Sequence, residues 1–420
     1  MPLPQPAAAP PALAAVPSSP STMSAGTVVL VLALLLGIQP VTTDLYLPAL
    51  PALTDGFNAP MSQAQLTLSA LLLAFGLSQL LWGPLSDRFG RRPILLLGLA
   101  AYTLAAVGSA LAPSMAQLIV WRTVQGAAMG AAVMGARAVV RDLYLPEMGA
   151  RVMSKGLSGL GLIACVSPPL GGLLSDFFSW RASLLVLAVF GAVSLVVVAL
   201  RFQETVQRKN PGALQPATLV RTWASIVRHP TFVAYTLLAT ASYSVLFTFL
   251  AASSFIFIKV LGMGKTAYGL AMFSSAFSYF AGTFLCRRLL PRFGVRHTVA
   301  IAGALSLSGG TLIGIFGLAG WHNVWAILAP FWLVMVAHGV HQPCSQSGAV
   351  GPFPQAAGAA SALNGFAMML AAFGVGGWLG GRFDGTVFPL TNGIWFFSVL
   401  IAAAAWTLVQ KYGEPARKTA

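Results

Sequence analysis

Long apolar runs separated by short polar or basic turns recur along the chain, and each run is long enough to cross a bilayer as a helix of roughly 20 residues. The first predicted span covers about Thr27 to Leu53 and is interrupted by Pro40, Pro48 and Pro51. Five more follow at Gln63–Leu85, Pro93–Ala112, Met115–Arg141, Val152–Phe177 and Ser179–Phe202. A polar, basic connection, Gln203–Pro230, separates them from six further spans: Thr231–Ile258, Thr266–Leu290, Thr298–Ala319, Val324–Val350, Ala356–Gly380 and Leu390–Lys411. Within the connection, Leu219, Trp223, Ile226 and Val227 fall on one helical face, with Arg221 and Arg228 away from it. That spacing predicts an amphipathic helix on the membrane surface, with an irregular tether as the alternative.

The pattern predicts an all-α integral membrane protein of twelve spans in two six-helix bundles. Residues 26–202 form the first bundle, 203–230 a linker and 231–411 the second. Residues 1–25, rich in Pro, Ala and Ser, read as a disordered tail, and 412–420 as a short second tail. Composition agrees: 57% hydrophobic against 8% charged is far from a soluble domain.

The net charge of +15 is carried by loops that alternate with the spans, which argues for a membrane protein and against a nucleic-acid binder. Alternation places Arg181, Lys259, Lys265 and Arg382 on one side, Arg122 within a span, and every other Lys and Arg on the opposite side. Because basic loops stay cytoplasmic, both termini and the connection are expected inside the cell. Cys165, Cys286 and Cys344 all lie in apolar runs, giving neither a disulfide framework nor metal-ligand spacing, and read as small packing residues.

One turn is unlike the others: Gly83-Pro84-Leu85-Ser86-Asp87-Arg88-Phe89-Gly90-Arg91-Arg92-Pro93. Each arginine would cost about 2.5–3.5 kcal/mol at mid-membrane, so the run is expected as a surface loop, with glycines for a tight backbone and Pro93 opening the next helix. The pattern Arg88-Phe89-Gly90-Arg91-Arg92 returns in part 204 residues later as Arg292-Phe293-Gly294-Val295-Arg296, where Pro291 replaces the acid Asp87. The halves are therefore related, and parallel halves with a site between them suit a carrier that works by alternating access.

Two charges fall well inside spans, Asp44 and Arg122. Counting at 1.5 Å per residue puts them roughly 13 and 10 Å below the same surface. Contact is expected, directly or through Gln39, Thr43 and Gln125. An acid so placed exchanges a proton when a conformational change alters its desolvation or its distance from a cation, and a static buried ion pair is the alternative. Farther along the fourth span, Arg137 or Arg141 is expected to meet Asp87 at the inner surface, against the plainer reading of a solvated charge cluster. Among the other polar and aromatic groups inside spans, Tyr46, Gln125, Tyr235, Tyr243, Phe247, His338, His341 and Asn364 are candidates for the wall of a cavity. For the histidines neutral packing is the stronger reading, and for the aromatics bundle packing.

These residues carry a resemblance. The turn resembles the Gly-x-x-x-Asp-Arg-x-Gly-Arg-Arg signature of the major facilitator superfamily, with Gly83, Asp87, Arg88, Gly90, Arg91 and Arg92 at all six positions. The run Thr43-Asp44-Leu45-Tyr46-Leu47-Pro48-Ala49-Leu50-Pro51 looks like the first-helix motif of the Bcr/CflA drug:proton antiporters, and Arg122-Thr123-Val124-Gln125-Gly126 is similar to the family's fourth-helix motif. Ser167-Pro168-Pro169-Leu170-Gly171-Gly172 resembles the antiporter motif Gly-Pro-x-x-Gly-Gly, with Ser167 in place of the first glycine. The resemblance implies a proton-coupling role for Asp44 and Arg122, a conformational latch at Gly83, Asp87, Arg88, Gly90, Arg91, Arg92, Arg137 and Arg141, and close helix packing at Ser167, Pro168, Gly171 and Gly172.

The expected function is thus proton-driven export of small amphipathic compounds across a bacterial inner membrane by a monomer. Protons are the coupling ion, and neither metal nor other cofactor is expected. The alternative is a dedicated exporter of a cell-made metabolite such as a siderophore. Gly262-Met263-Gly264-Lys265 lacks P-loop spacing, no run resembles a channel filter, and Asp44 lies in a different half from His338 and His341, so neither an ATP-driven pump, a channel nor an enzyme is favoured.

Overall fold

The computed structural model describes residues 23–144, 146–206 and 209–413. Most of the expected N-terminal tail, residues 1–22, and of the short second tail, 414–420, lies outside the described residues. The first half contains α1 (Ala25–Asp44), α2 (Leu50–Phe57), α3 (Met61–Phe89), α4 (Arg91–Leu111), α5 (Met115–Leu143), α6 (Pro146–Phe177) and α7 (Trp180–Arg201). Then come α8 (Pro216–Val227), α9 (Pro230–Ser254), α10 (Lys265–Leu318), α11 (Val324–Val350), α12 (Ala357–Arg382), α13 (Phe388–Ala403) and α14 (Val409–Tyr412). Among the described residues there is no β-strand. Sequence-local caps start several helices: Ser24, Ser114 and Asn323 accept from the backbone N–H groups of Thr27, Gln117 and Ala326 at 3.2, 3.3 and 2.9 Å.

Among the described residues, ten helical stretches are long and apolar enough to cross a membrane. Twelve crossings follow from two of the helices. α10, with 54 residues, is broken by a non-helical turn at Gly294 (φ 68, ψ 177) into two passes. α5 carries Arg122, Arg137, Arg141 and Asp142, which dilute its hydropathy, yet its 29 residues reach about 44 Å, more than a bilayer core. The first expected span bends only once: Pro40 sits within α1, and the break falls at Leu45 and Tyr46, before a 3-10 turn at Leu47–Ala49 and α2.

α3, α4 and α7 gather around α5 and α1, while in the second half α11 and α13 pack with α10, and α9 packs against α11, α12 and α13. The halves meet along two seams, α3 against α12 and α6 against α10. The amphipathic helix predicted in the connection is α8, but it turns Ile226 into the protein against α9 and α12, and Val227 is exposed.

The charged run is mostly helix rather than loop. α3 continues through Gly83 to Phe89, α4 begins at Arg91, and Gly90 alone makes the turn, with φ 111 and ψ 157. Gly294, its equivalent 204 residues on, turns in the same way, in a region of backbone space that essentially only glycine enters.

Candidate functional site

Arg122 is fully buried in the first half. Its Nη1 donates to Gln125 Oε1 at 2.8 Å, its Nη2 donates to the Thr42 carbonyl at 3.0 Å, and its guanidinium lies 4.4 Å from the centre of the Tyr46 ring. The Thr42 carbonyl is free because it is among the last four of α1, which have no partner within their own helix. Tyr46 is held from behind by a 3.0 Å hydrogen bond between its hydroxyl and Thr67, and Thr42 bonds the Tyr102 hydroxyl at 2.6 Å. Tyr46 and Gln125 therefore belong to the seat of Arg122 and line none of the three cavities that lead to Asp44.

Asp44 does not meet Arg122. The expected contact fails because Thr42 faces Arg122 and Asp44, two residues on, is turned about 200° away around the helix. Equal depth puts the two charges on one level but on opposite sides of α1. Asp44 instead accepts from the Thr43 hydroxyl at 2.7 Å and opens into a cavity of about 270 Å3 that it shares with Gln39, Tyr243, Tyr279, His338 and Gln342. Among the described residues it forms no ion pair.

Gln39, Tyr243 and Gln342 also line a second cavity, of about 400 Å3, with Gln79, Arg137, Gln346 and Asn364. Gln79, Arg137 and Ser361 in turn line a third, of about 510 Å3, which runs to Asp87, Arg141 and α8. The three adjoin through these shared walls and make a route from the face that carries Gly90 to Asp44. Of the predicted cavity residues, Tyr243, His338 and Asn364 line the route, and His338 Nδ1 is 2.8 Å from Ser242 Oγ. Three others do not. Tyr235 donates to the Gly413 carbonyl at 2.7 Å, Phe247 packs at the α9–α12 contact near Gly376, and His341 is buried outside the lining. The sequence pattern does not single out Gln79, Tyr279 and Ser361, although Gln79 carries a signal, an amide inside an apolar run.

At the Gly90 face the acid of the signature is held mainly by its neighbour: Asp87 Oδ1 lies 2.6 Å from Arg91 Nη1 and 3.9 Å from Arg141 Nη2. Arg137 does not reach it and donates to Ser361 Oγ on α12 at 2.8 Å. Two acids that the sequence reading misses complete the cluster. Asp142 accepts from Arg91 Nε at 2.9 Å, and Glu204 caps the start of α4, accepting from the backbone N–H of Arg91 and Arg92 at 2.9 and 3.1 Å. Burial works against the Glu204 carboxylate, but the backbone N–H groups of Val206, Arg91, Arg92 and Thr205 hold its pKa below the ordinary Glu value. Arg92 also donates to the Ala199 carbonyl at 2.9 Å, and Arg88 lies 5.4 Å from the Phe89 ring centre. Gly83, inside α3, borders the route with no tight neighbour.

Gly90 is crowded as well as strained, since a Cβ there would come 2.5 Å from Glu204 Oε2, whereas a Cβ on Gly294 meets nothing within 4 Å. Ala at either position should cost roughly 1–3 kcal/mol of backbone strain. Gly90→Ala should lower the melting temperature of the purified protein further than Gly294→Ala, because it also displaces the Glu204 cap. Equal shifts would contradict a structural role for that cap.

The run at 167–172 lies at the α1–α6–α10 junction. Ser167 donates to the Ile163 carbonyl at 2.7 Å, and the backbone of Leu45 occupies the space a Gly171 side chain would need. A Cβ on Gly172 would come 2.6 Å from the Lys265 carbonyl, and one on Gly269 2.6 Å from the Pro168 carbonyl, so the two halves touch backbone to backbone. Nearby, Lys265 pairs with Asp176 at 3.8 Å and Lys259 pairs with Asp55. The end of the molecule opposite Gly90 is thus shut while the Gly90 end is open.

A family model described as Major Facilitator Superfamily matches residues 32–376. Multidrug resistance protein D of Escherichia coli is 30% identical over 338 residues, which cover 80% of this chain and 84% of that protein. A chloramphenicol resistance protein of Pseudomonas aeruginosa is 29% identical, covering 76% and 75%, and a bicyclomycin resistance protein homolog of Haemophilus influenzae is 29% identical, covering 68% and 72%. Among solved structures, the partially occluded inward-open xylose transporter XylE from E. coli superposes with a TM-score of 0.73 at 15% identity, covering 94% of this chain and 99% of that one, which speaks for the fold.

Proposed function

The chain belongs to the Major Facilitator Superfamily, and on that premise we propose that it exports small, moderately apolar compounds from a bacterial cell in exchange for protons. It is a multi-pass membrane transporter and not an enzyme. Its relatives are named for resistance to several drugs, to chloramphenicol and to bicyclomycin, in line with the drug:proton antiporter motif around Asp44. Export of a siderophore finds no support among them.

One observation carries the mechanism: an acid without a cationic partner, Asp44, stands in the last of three adjoining cavities that begin at the Gly90 face, while the halves touch backbone to backbone at Gly172. In our reading the basic, open end faces the cytoplasm, with both termini and α8 there and the protein acting as a monomer in the inner membrane. Substrate enters past Arg137 and meets a protonated Asp44. Rocking of the two halves about the site then opens the Gly172 end and closes the Asp87 end. Arg122, locked away from the route, holds the break between α1 and α2 in shape and leaves proton exchange to Asp44. The cluster of Asp87, Arg91, Asp142 and Arg141 resists or permits the rocking.

Expression in an efflux-deficient bacterium is expected to raise tolerance to at least one of chloramphenicol and bicyclomycin, and a proton uncoupler should remove the gain. Unchanged tolerance to both, or tolerance that survives the uncoupler, would overturn this reading.

A further inference from the structure

The neck of the route contains a cation that takes no part in proton exchange or in the Asp87 cluster. Arg137 lines both the middle and the outer cavity, and a single donor, Nη1, is taken, by Ser361 Oγ at 2.8 Å. It forms no ion pair among the described residues, although a guanidinium has five N–H donors. Its Nε and Nη2 are not among the sealed, unpartnered polar atoms, so they remain open to the cavity it lines. Opposite it, within the same 400 Å3 space, stand the amides of Gln79, Gln342, Gln346 and Asn364. Asn364 is 3% exposed, and its Oδ1, like Oε1 of Gln342, has no hydrogen-bond partner.

A lone guanidinium with free donors, sharing its cavity with the side-chain amides of Gln342 and Asn364, is complementary to a ligand of two-sided polarity. We propose that Arg137, with Gln342 and Asn364, forms a substrate subsite for a group with paired acceptor oxygens, neutral or singly anionic, such as a nitro or carboxylate group, on a molecule that also carries a hydroxyl or amide N–H donor. The acceptor sits on the guanidinium, and the ligand's donor meets the side-chain amides of Asn364 and Gln342, which turn an oxygen to it by rotation of the amide. Such a buried, charge-assisted bond discriminates strongly against a ligand that lacks the acceptor, because the site's polar groups are then left unpaired. The same charge at the neck disfavours permanent cations. The inference deepens the export reading and rests on it, but it concerns binding and needs no proton gradient.

The test measures equilibrium binding to the full chain in lipid nanodiscs, using chloramphenicol and its analogue with the nitro group reduced to an amine. Wild-type protein should bind chloramphenicol about ten- to a hundredfold more tightly than the amine. Arg137→Gln should bring that ratio near one, and Arg137→Lys should keep part of it. Ser361→Ala, which removes only the bridge to α12, should keep the ratio; if it matched Arg137→Gln, the arginine would be a structural tie and the subsite would be overturned. A ratio unaffected by Arg137→Gln, or failure of wild-type protein to prefer chloramphenicol, would also overturn it. Arg137-dependent binding without proton-driven transport would instead refute the export reading and leave the subsite standing.

Discussion

Asp44→Asn should abolish uphill efflux while leaving substrate binding within a few-fold of wild type. The amide keeps the size and much of the hydrogen bonding of the acid, including its place beside the Thr43 hydroxyl, but it cannot take or release a proton. One proton moving across a potential is worth about 2.3 kcal/mol per 100 mV, enough for roughly a fiftyfold substrate gradient. In everted vesicles under an imposed proton gradient, the wild-type accumulation ratio should fall to about one in the variant. Asp44→Glu, which keeps a carboxyl, should retain part of it. A variant that still accumulates substrate to the wild-type level would move the coupling role away from Asp44.

The second large effect is expected at the closed end. Gly172→Val would place a side chain against the Lys265 carbonyl and the Cα of Thr266, which lie 2.6 and 3.0 Å from the position a Cβ must take, and both are backbone atoms that cannot swing aside. Overpacking of this kind costs about 1–3 kcal/mol, roughly a five- to 150-fold shift against the state in which α6 and α10 touch. Transport should fall by a comparable factor while insertion continues, because the clash exists only when that end is shut. A cysteine placed at Ala49, which is buried here, should become reactive to a membrane-impermeant thiol reagent in the variant. Normal transport with unchanged labelling would show that the glycine is ordinary packing.

Much of the fold is legible in the sequence because hydrocarbon imposes a simple rule: each crossing must be long and apolar, and each turn between crossings short and polar. Even the relation of the halves can be read, since Gly90 and Gly294 both occupy backbone space closed to other residues. What the sequence does not convey is which way a side chain faces once it is inside. Charge and depth single out Asp44 and Arg122, yet the turn of α1 sets Thr42 toward the arginine and Asp44 toward the cavity. Helix length alone predicts Arg137 beside Asp87, whereas the packing of α5 against α3, near the α12 seam, brings it to Ser361. Glu204 carries no signal at all, because its role depends on the chain folding back over the start of α4 after three further helices, α5, α6 and α7.

At the centre of the proposed mechanism, Asp44 is to give up a proton when substrate arrives. Purified protein in weakly buffered solution, titrated with whichever antibiotic scores in the tolerance assay, reads this directly through a pH-sensitive dye. Wild-type protein should release about one proton per molecule bound, and Asp44→Asn should bind without release. Equal release from both proteins would contradict the coupling role of Asp44.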